Sequence, residues 1–288
     1  MESQENQYRW PKAEAVYPDR PGRSYALKRL RYRLRAFSHR GLIAQFEQFI
    51  NQHPFLVKLL NEHADYSYPL VYRFLDKRFN RICDNLRFLP EKLTALSTPI
   101  YKTPLSFGVV IPDFEMTLSM TTHQPMEGYW VLELWHKPRN ELVYLPTFAK
   151  LGESLLISVV QGPNFEGSKE MVKQLTKTCY GLRPAYLMVE TMKALTKVLG
   201  FNQLGFKTLL GIPQKYQNKS RFIQSSHYVV DYDAIFAESG GQLKDYWELP
   251  LEIDRNLDDV PSKKRSMYRK RYAMLDDLAK LIEEKLGL

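Results

Sequence analysis

Cysteine is scarce in this chain: there are two in 288 residues, Cys83 and Cys179, far apart and neither in a C-x-x-C pair. That spacing argues against a disulfide framework or a thiolate zinc site and fits a reducing, cytoplasmic setting. Long apolar runs are also missing, and nothing approaches the ~18 consecutive apolar residues that span a bilayer. The opening residues, MESQENQYRWPKAEAVYPDRPGR, have no apolar core and do not read as a signal peptide. Among the six histidines, His39, His53 and His63 show no ligand spacing and read as surface or packing residues. There is no H-E-x-x-H, G-x-S-x-G or Walker loop, which removes metalloprotease, serine hydrolase and P-loop NTPase readings. No metal is expected, and no internal repeat or low-complexity tract interrupts the chain.

What the chain has in excess is positive charge, with a formal net charge of +9 and a pI near 9.3. Such a balance implies anionic partners. Much of the charge sits in two clusters. The first, RSYALKRLRYRLRAFSHR, holds Arg23, Lys28, Arg29, Arg31, Arg33, Arg35 and Arg40 with no acid among them. Leu27, Leu30, Leu34 and Phe37 recur there at helical spacing, which predicts a basic amphipathic helix able to lie on anionic headgroups. The second, VPSKKRSMYRKRY, supplies Lys263, Lys264, Arg265, Arg269 and Arg271 as candidate anion-binding residues, with Ser262 as the expected cap of a helix continuing through Leu275, Leu278 and Ile282. The bland reading of both clusters is a solvated helix face. Tyr25, Tyr32, Tyr268 and Tyr272 are interleaved with the cations, yet no recognition-module signature accompanies them, so nucleic acid is not expected except as a charged tRNA donor.

The patterning divides the chain into a polar N-terminal tail over 1–23, a helical region over 24–98, and an α/β domain over 99–288. In the helical region, Leu42, Ile43, Phe46, Phe49 and Ile50 share one face; Val71, Leu75, Phe79 and Ile82 share another; His53-Pro54 and Tyr68-Pro69 mark turns. After STPIYKTPLSFG the period shifts towards two. LSFGVVIP, EMTLSMTT, GYWVLELWHK and ELVYLPTFAK predict an antiparallel meander, with a hairpin at 136–140. ESLLISVVQGP is continuously apolar and predicts a strand covered on both faces. Two helices follow, one from Ser168 to Gly181 and one opening at Pro184 and ending at Gly200, and then the strand QLGFKTLLGIP. The class is α+β: a helical N-terminal region, then a mixed sheet with flanking helices laid out like the N-acetyltransferase-like fold, in which a pantetheine or aminoacyl donor enters a splayed sheet. The phosphate-loop glycines of that fold are out of register here.

Candidate site residues lie around this crossover. TKTCYGLRPAYL sets Lys177 and Arg183 near a helix start, where unpaired N–H groups favour an anion, and Gln161-Gly162 follow the covered strand; these four are the expected donor-binding residues. The plain alternative pairs Arg183 with a nearby carboxylate or carbonyl. Further on, SSHYVVDYDAIFAESGG sends His227, Asp231 and Asp233 to one side of an extended chain, where an imidazole and carboxylates could act as a base. The competing reading makes the aspartates caps of a helix over 234–238 or partners of the KKR segment. Cys179 is expected to be buried rather than nucleophilic.

The order Gln161-Gly162-Pro163, Thr176-Lys177, Gly181-Leu182-Arg183-Pro184, Asp231-Tyr232-Asp233, Gly240-Gly241, Leu249-Pro250 and PSKKRSMYRKRY resembles the VirK/YbjX family of Gram-negative bacterial proteins, from about Arg29 to Leu275. The resemblance implies a link to virulence, to maintenance of the outer surface and to resistance against antimicrobial peptides. Two functions remain in view. One is a cytoplasmic acyl- or aminoacyl-transferase acting on an envelope or surface-glycolipid precursor, taking acyl-CoA or aminoacyl-tRNA as donor. The other is a non-enzymatic basic protein that binds anionic glycolipid or a protein partner, peripheral at the inner membrane.

Overall fold

The polar opening of the chain is ordered by its few aromatic residues. In the computed structural model, which describes residues 7–21, 24–62, 75–93, 100, 103–120, 128–200, 209–217, 231–258 and 260–287, Tyr8 is buried and Asn51 holds its backbone at both ends. The Tyr8 N–H donates to Asn51 Oδ1 at 2.8 Å, and Asn51 Nδ2 donates to the Tyr8 carbonyl at 3.1 Å. The Trp10 N–H donates to Glu47 at 2.7 Å, its ring stacks on Tyr32, and the Tyr32 hydroxyl donates to the Pro11 carbonyl at 2.9 Å. Within the stretch read as a polar tail, residues 7–21 dock on helices and include the short α1 (Ala13–Val16). Tyr8 is buried and Trp10 and Tyr17 are half-buried, and these rings anchor an otherwise polar segment.

The chain divides into two units, Met1–Glu91 and Lys92–Leu288. The first contains α2 (Ala26–Ser38), α3 (Arg40–Asn51), α4 (Pro54–Glu62) and α5 (Leu75–Lys92). Ile43, Phe46 and Ile50 of α3 point into its core with Leu56, Leu59 and Leu60 of α4, as the 3.6-residue period predicts. Pro54 opens α4 at a position where its missing N–H costs nothing. Ile82 of α5 is buried as expected, while Val71 and the Tyr68-Pro69 turn lie outside the described residues.

The second unit is built on a mixed eight-stranded sheet in the order β1-β2-β3-β4-β5-β6-β8-β7. The strands β1 (Leu105–Ile111), β2 (Phe114–Met120), β3 (Trp130–His136), β4 (Glu141–Leu151) and β5 (Ser154–Gln161) form the predicted antiparallel meander. Alternation supplies its core: Met116, Leu118, Leu132, Leu134 and Phe148 occupy one face and are buried. The β3–β4 turn closes at Asn140, in the left-handed conformation that asparagine tolerates.

From β5 the chain crosses through α6 (Ser168–Thr178) and α7 (Pro184–Val198) to β6 (Leu209–Gly211), which pairs parallel with Leu155–Ile157. This is the strand–helix–helix–strand unit read from the sequence. The short α8 (Gln214–Gln217), α9 (Tyr232–Glu238), and the strands β7 (Gln242–Leu243) and β8 (Trp247–Leu249) follow. The last helix, α10 (Ser262–Leu286), packs Leu275, Leu278, Ile282 and Leu286 inward and lies against α7. Ser262 is its first helical residue rather than its cap: Pro261 occupies the cap position and no side chain caps the end.

Candidate functional site

The crossover gives several of the expected donor-binding residues structural partners. Gln161 ends β5, and Gly162 sits against the Tyr144 ring, where an added Cβ would come within 3.2 Å of it. Lys177 is exposed in the last turn of α6, where a cation complements the negative helix end. Arg183 caps α7, and its guanidinium is bonded to Glu238 and, at 2.6 Å, to the Tyr186 hydroxyl, lying over the Tyr186 ring. The Tyr186 hydroxyl and then Arg183 hold the Glu238 carboxyl below its usual range. The anion at this helix start is thus the chain's own Glu238. Both partners are more than half exposed, so Arg183→Ala is expected to cost at most about 1 kcal/mol in denaturant unfolding.

The acidic candidates likewise carry structure. Asp231 is the N-cap of α9 and accepts from the Ala234 N–H at 2.9 Å. Asp233 accepts from Trp247 Nε1 at 2.7 Å and from the Gln214 N–H at 3.0 Å, tying α9 to β8 and α8. His227 lies outside the described residues. Cys179 is buried, and burial pushes its thiol up to about 12, so it does not present a nucleophile at neutral pH.

The five candidate anion-binding cations of α10 fall into two groups. Arg265 turns back to the Val260 carbonyl at 3.0 Å, and Arg271 donates twice to the Tyr180 carbonyl, at 3.2 and 2.8 Å, with its charge over the Tyr268 ring. Tyr180 and Gly181 both adopt left-handed backbone between α6 and α7, so Arg271 braces a turn whose carbonyls have left the helix. Lys263, Lys264 and Arg269 project into solvent.

The α2 surface is different in kind. Leu27, Leu30, Leu34 and Phe37 fall within about 80° of the helix circumference, and they face outward, exposed by 59%, 50%, 61% and 69%. The packed side is the opposite one, where Tyr32 is buried and Arg29 donates to the Tyr17 carbonyl at 2.8 and 2.6 Å and to Asp19. Lys28, Arg31 and Arg35 border the apolar stripe on one flank and Arg33 on the other. Glu14 pairs with Arg33, and Arg40, at the start of α3, lies over the Phe37 ring at 5.0 Å. An apolar ridge between cationic margins is the arrangement that sits at a boundary between hydrocarbon and anionic headgroups.

Among the described residues no helix is long and apolar enough to cross a membrane, and no group of histidine, cysteine and carboxylate side chains is disposed to hold a metal. No solved structure matches the chain. The family profile described as protein of unknown function DUF535 matches residues 21–284. An uncharacterised protein of Haemophilus influenzae is 77% identical over 98% of this chain and 97% of its own length. A Mannheimia haemolytica protein named membrane protein LapB is 60% identical over 75% of this chain and 96% of its own. The Escherichia coli protein YbjX is 30% identical over 43% of this chain and 38% of its own length. The profile spans nearly all of the sequence that carries the motifs, and the chain belongs to the DUF535 family, the VirK/YbjX family that those motifs resemble.

Proposed function

We propose that this protein is a peripheral binding protein for anionic headgroup surfaces, docking through α2 and without a bilayer-crossing segment in the docking element. The observation that carries this reading is the orientation of α2: its apolar stripe is turned away from the fold while its tyrosine and arginine side is packed. A solvated helix would leave charge outside and leucine inside. The cationic margins select phosphate-bearing headgroups, and the stripe adds the shallow apolar anchorage that charge alone lacks. The name membrane protein carried by the Mannheimia relative accords with membrane association. Lys263, Lys264 and Arg269 add exposed positive charge near the start of α10.

Vesicle co-sedimentation tests the reading. The protein is expected to pellet with vesicles containing phosphatidylglycerol or a phosphorylated glycolipid, to stay in solution with pure phosphatidylcholine, and to be released as salt rises. Preference between the two anionic arms identifies the headgroup source. Equal partition to neutral and anionic vesicles, or none to either, would remove the proposal.

A second reading, acyl or aminoacyl transfer onto an envelope precursor, is favoured by one observation, the strand order. A meander feeding a helical crossover, a parallel strand and then the order β6-β8-β7 is what an N-acetyltransferase-like sheet with one additional leading strand would have. The parallel pairing stops at Ile157–Gly211 while β5 runs on to Gln161. Beyond the last pair the Val160 backbone meets the Tyr232 hydroxyl, which donates to its carbonyl at 3.1 Å. Activity would reside in the site rather than in the scaffold. Its test is thermal stability with acyl-CoA and with charged tRNA: a donor at a hundred times its Kd stabilises by about 2.7 kcal/mol, and no shift with either sets this reading aside.

A further inference from the structure

The N-terminal segment and α3 meet along a cleft of about 630 Å³, and every residue lining it belongs to the first unit. Gln7, Tyr8 and Arg9 form one wall. Glu47, Gln48 and Asn51 of α3, with Gln52 at its C-terminal cap, form the other. The walls are tied together from side chain to backbone: Asn51 takes both the N–H and the carbonyl of Tyr8, and Glu47 takes the Trp10 N–H. The Tyr8 ring is buried edge-on to Phe46. Helical period sorts the α3 wall, since Phe46 and Ile50 turn into the core while Gln48 stands about 160° round the helix from Phe46.

What the cleft presents is polar without being strongly charged. Gln7, Gln48 and Gln52 are exposed, and their side-chain amides have no hydrogen-bond partner among the described residues. Each amide sets a donor and an acceptor side by side. Arg9 is exposed too, pairs with no carboxylate among the described residues, and adds a planar fork of donors. Glu47 offsets its charge within the lining.

We propose that this cleft binds a short saccharide carrying an acidic substituent. A sugar hydroxyl both donates and accepts, as the glutamine amides do, and a carboxylate or phosphate on the sugar takes the Arg9 fork. Clefts of roughly 300–1,000 Å³ hold ligands of drug size, which is about two sugar rings. Other ligand classes fit less well. An apolar ligand finds no apolar wall, because the one ring in the lining is buried. A bare anion gains a single cation and meets Glu47. A nucleic-acid strand needs a cationic track and open aromatic faces, and an extended peptide brings side chains for which this lining has no pocket. Glu47 and Asn51 are committed to the opposite wall before a ligand arrives, so binding orders chiefly the glutamines and Arg9. The cleft uses no residue of the α2 stripe and stands or falls separately from headgroup docking.

Trp10 lies one residue beyond the lining and its backbone N–H is bonded to Glu47, so its amide resonance reports on the cleft. In protein with isotope-labelled tryptophan, that resonance is assigned with Trp10→Phe and followed while sialyllactose or a glucose phosphate is added. Lactose serves as the neutral sugar, and acetate, inorganic phosphate and tetraglycine stand for the acid or the peptide alone. A saturable shift with at least one acidic sugar, a weaker one with lactose and none with the others is the expected result. Gln48→Ala with Gln52→Ala is expected to weaken binding at least tenfold while leaving thermal unfolding unchanged, both side chains being exposed. Arg9→Gln is expected to bring the acidic sugar down to the level of lactose. Sialyllactose carried on ceramide in phosphatidylcholine vesicles competes with the soluble form if the site accepts a lipid-borne sugar and fails to compete if it takes a free one; either result supports a saccharide site and names its source. A resonance indifferent to every sugar, one that responds equally to acetate, phosphate or tetraglycine, or one that shifts as readily in the double glutamine variant overturns the proposal.

Discussion

Leu34→Glu combined with Phe37→Glu should reduce partition to anionic vesicles by more than a hundredfold while leaving the thermal unfolding of the protein essentially unchanged. Both side chains lie mostly in solvent, so replacing them removes little native packing. Burying a leucine or phenylalanine side chain is worth roughly 1.5–3 kcal/mol each, and about 1.4 kcal/mol is tenfold in partition. Two lost anchors therefore account for the drop even before the added negative charges repel the headgroups. The converse variant, Tyr32→Ala, removes the packed side of the helix, along with a stack on Trp10 and a hydrogen bond to the Pro11 carbonyl. It should destabilise the first unit and leave the apolar stripe chemically intact. Vesicle partition and unfolding measured on both variants separate docking from folding. If the Leu34/Phe37 variant binds as well as wild type, α2 is not the docking element.

The same helix shows how far a sequence speaks. Its 3.6-residue period was plain in Leu27, Leu30, Leu34 and Phe37, but period defines a stripe and not which stripe packs. The decision came from Tyr32 and Arg29, whose hydrogen bonds reach the Pro11 and Tyr17 carbonyls in a segment that composition marks as a tail. Long-range partners of this sort leave no local signal. Arg183 illustrates the point again: its glutamate partner lies 55 residues on. The Asp231 cap, by contrast, was legible, because aspartate before a helix satisfies a local N–H of that helix.

The sheet was read from its alternation, since Met116, Leu118, Leu132 and Leu134 keep strict period two and turn residues punctuate the strands. The crossover was readable from Gly181, Pro184 and Gly200 at the helix ends. What alternation could not convey was that Thr117, Ser119, Glu133 and Thr147 on its polar side are buried. Glu133 has the spacing of a solvated residue, and only three-dimensional packing distinguishes it from one. The C-terminal cations were visible as a cluster, but the division between Arg265 and Arg271, which brace backbone carbonyls, and Lys263, Lys264 and Arg269, which face solvent, depends on where α10 passes the α6–α7 turn.

Lys193→Met is expected to cost the second unit about 3–5 kcal/mol at neutral pH, the usual consequence of removing one member of a buried ion pair. Lys193 lies almost wholly inside, on the crossover helix α7, and donates at 2.8 Å both to Glu190 Oε1 and to the Ser239 carbonyl at the end of α9. Glu190 Oε2 and the Ser239 hydroxyl are buried without partners among the described residues, so the ammonium is the main compensation for this polar group. Burial raises the Glu190 carboxyl above its unfolded value of 4.5, and Lys193 opposes that rise. The sign follows: between the unfolded value and the raised folded value the native state holds the extra proton, so this group's contribution to stability falls as pH rises through that window. Without Lys193 the window extends upward. The penalty in Lys193→Met should therefore be largest at neutral and alkaline pH and should shrink as acid protonates Glu190. Adding Glu190→Leu removes the orphaned charge and should restore most of the loss, since replacing a whole buried pair by apolar residues is often neutral. Denaturant unfolding of the single and double variants across pH checks each part. A Lys193→Met protein within about 1 kcal/mol of wild type at every pH would mean that water, rather than Lys193, compensates Glu190 between α7 and α9.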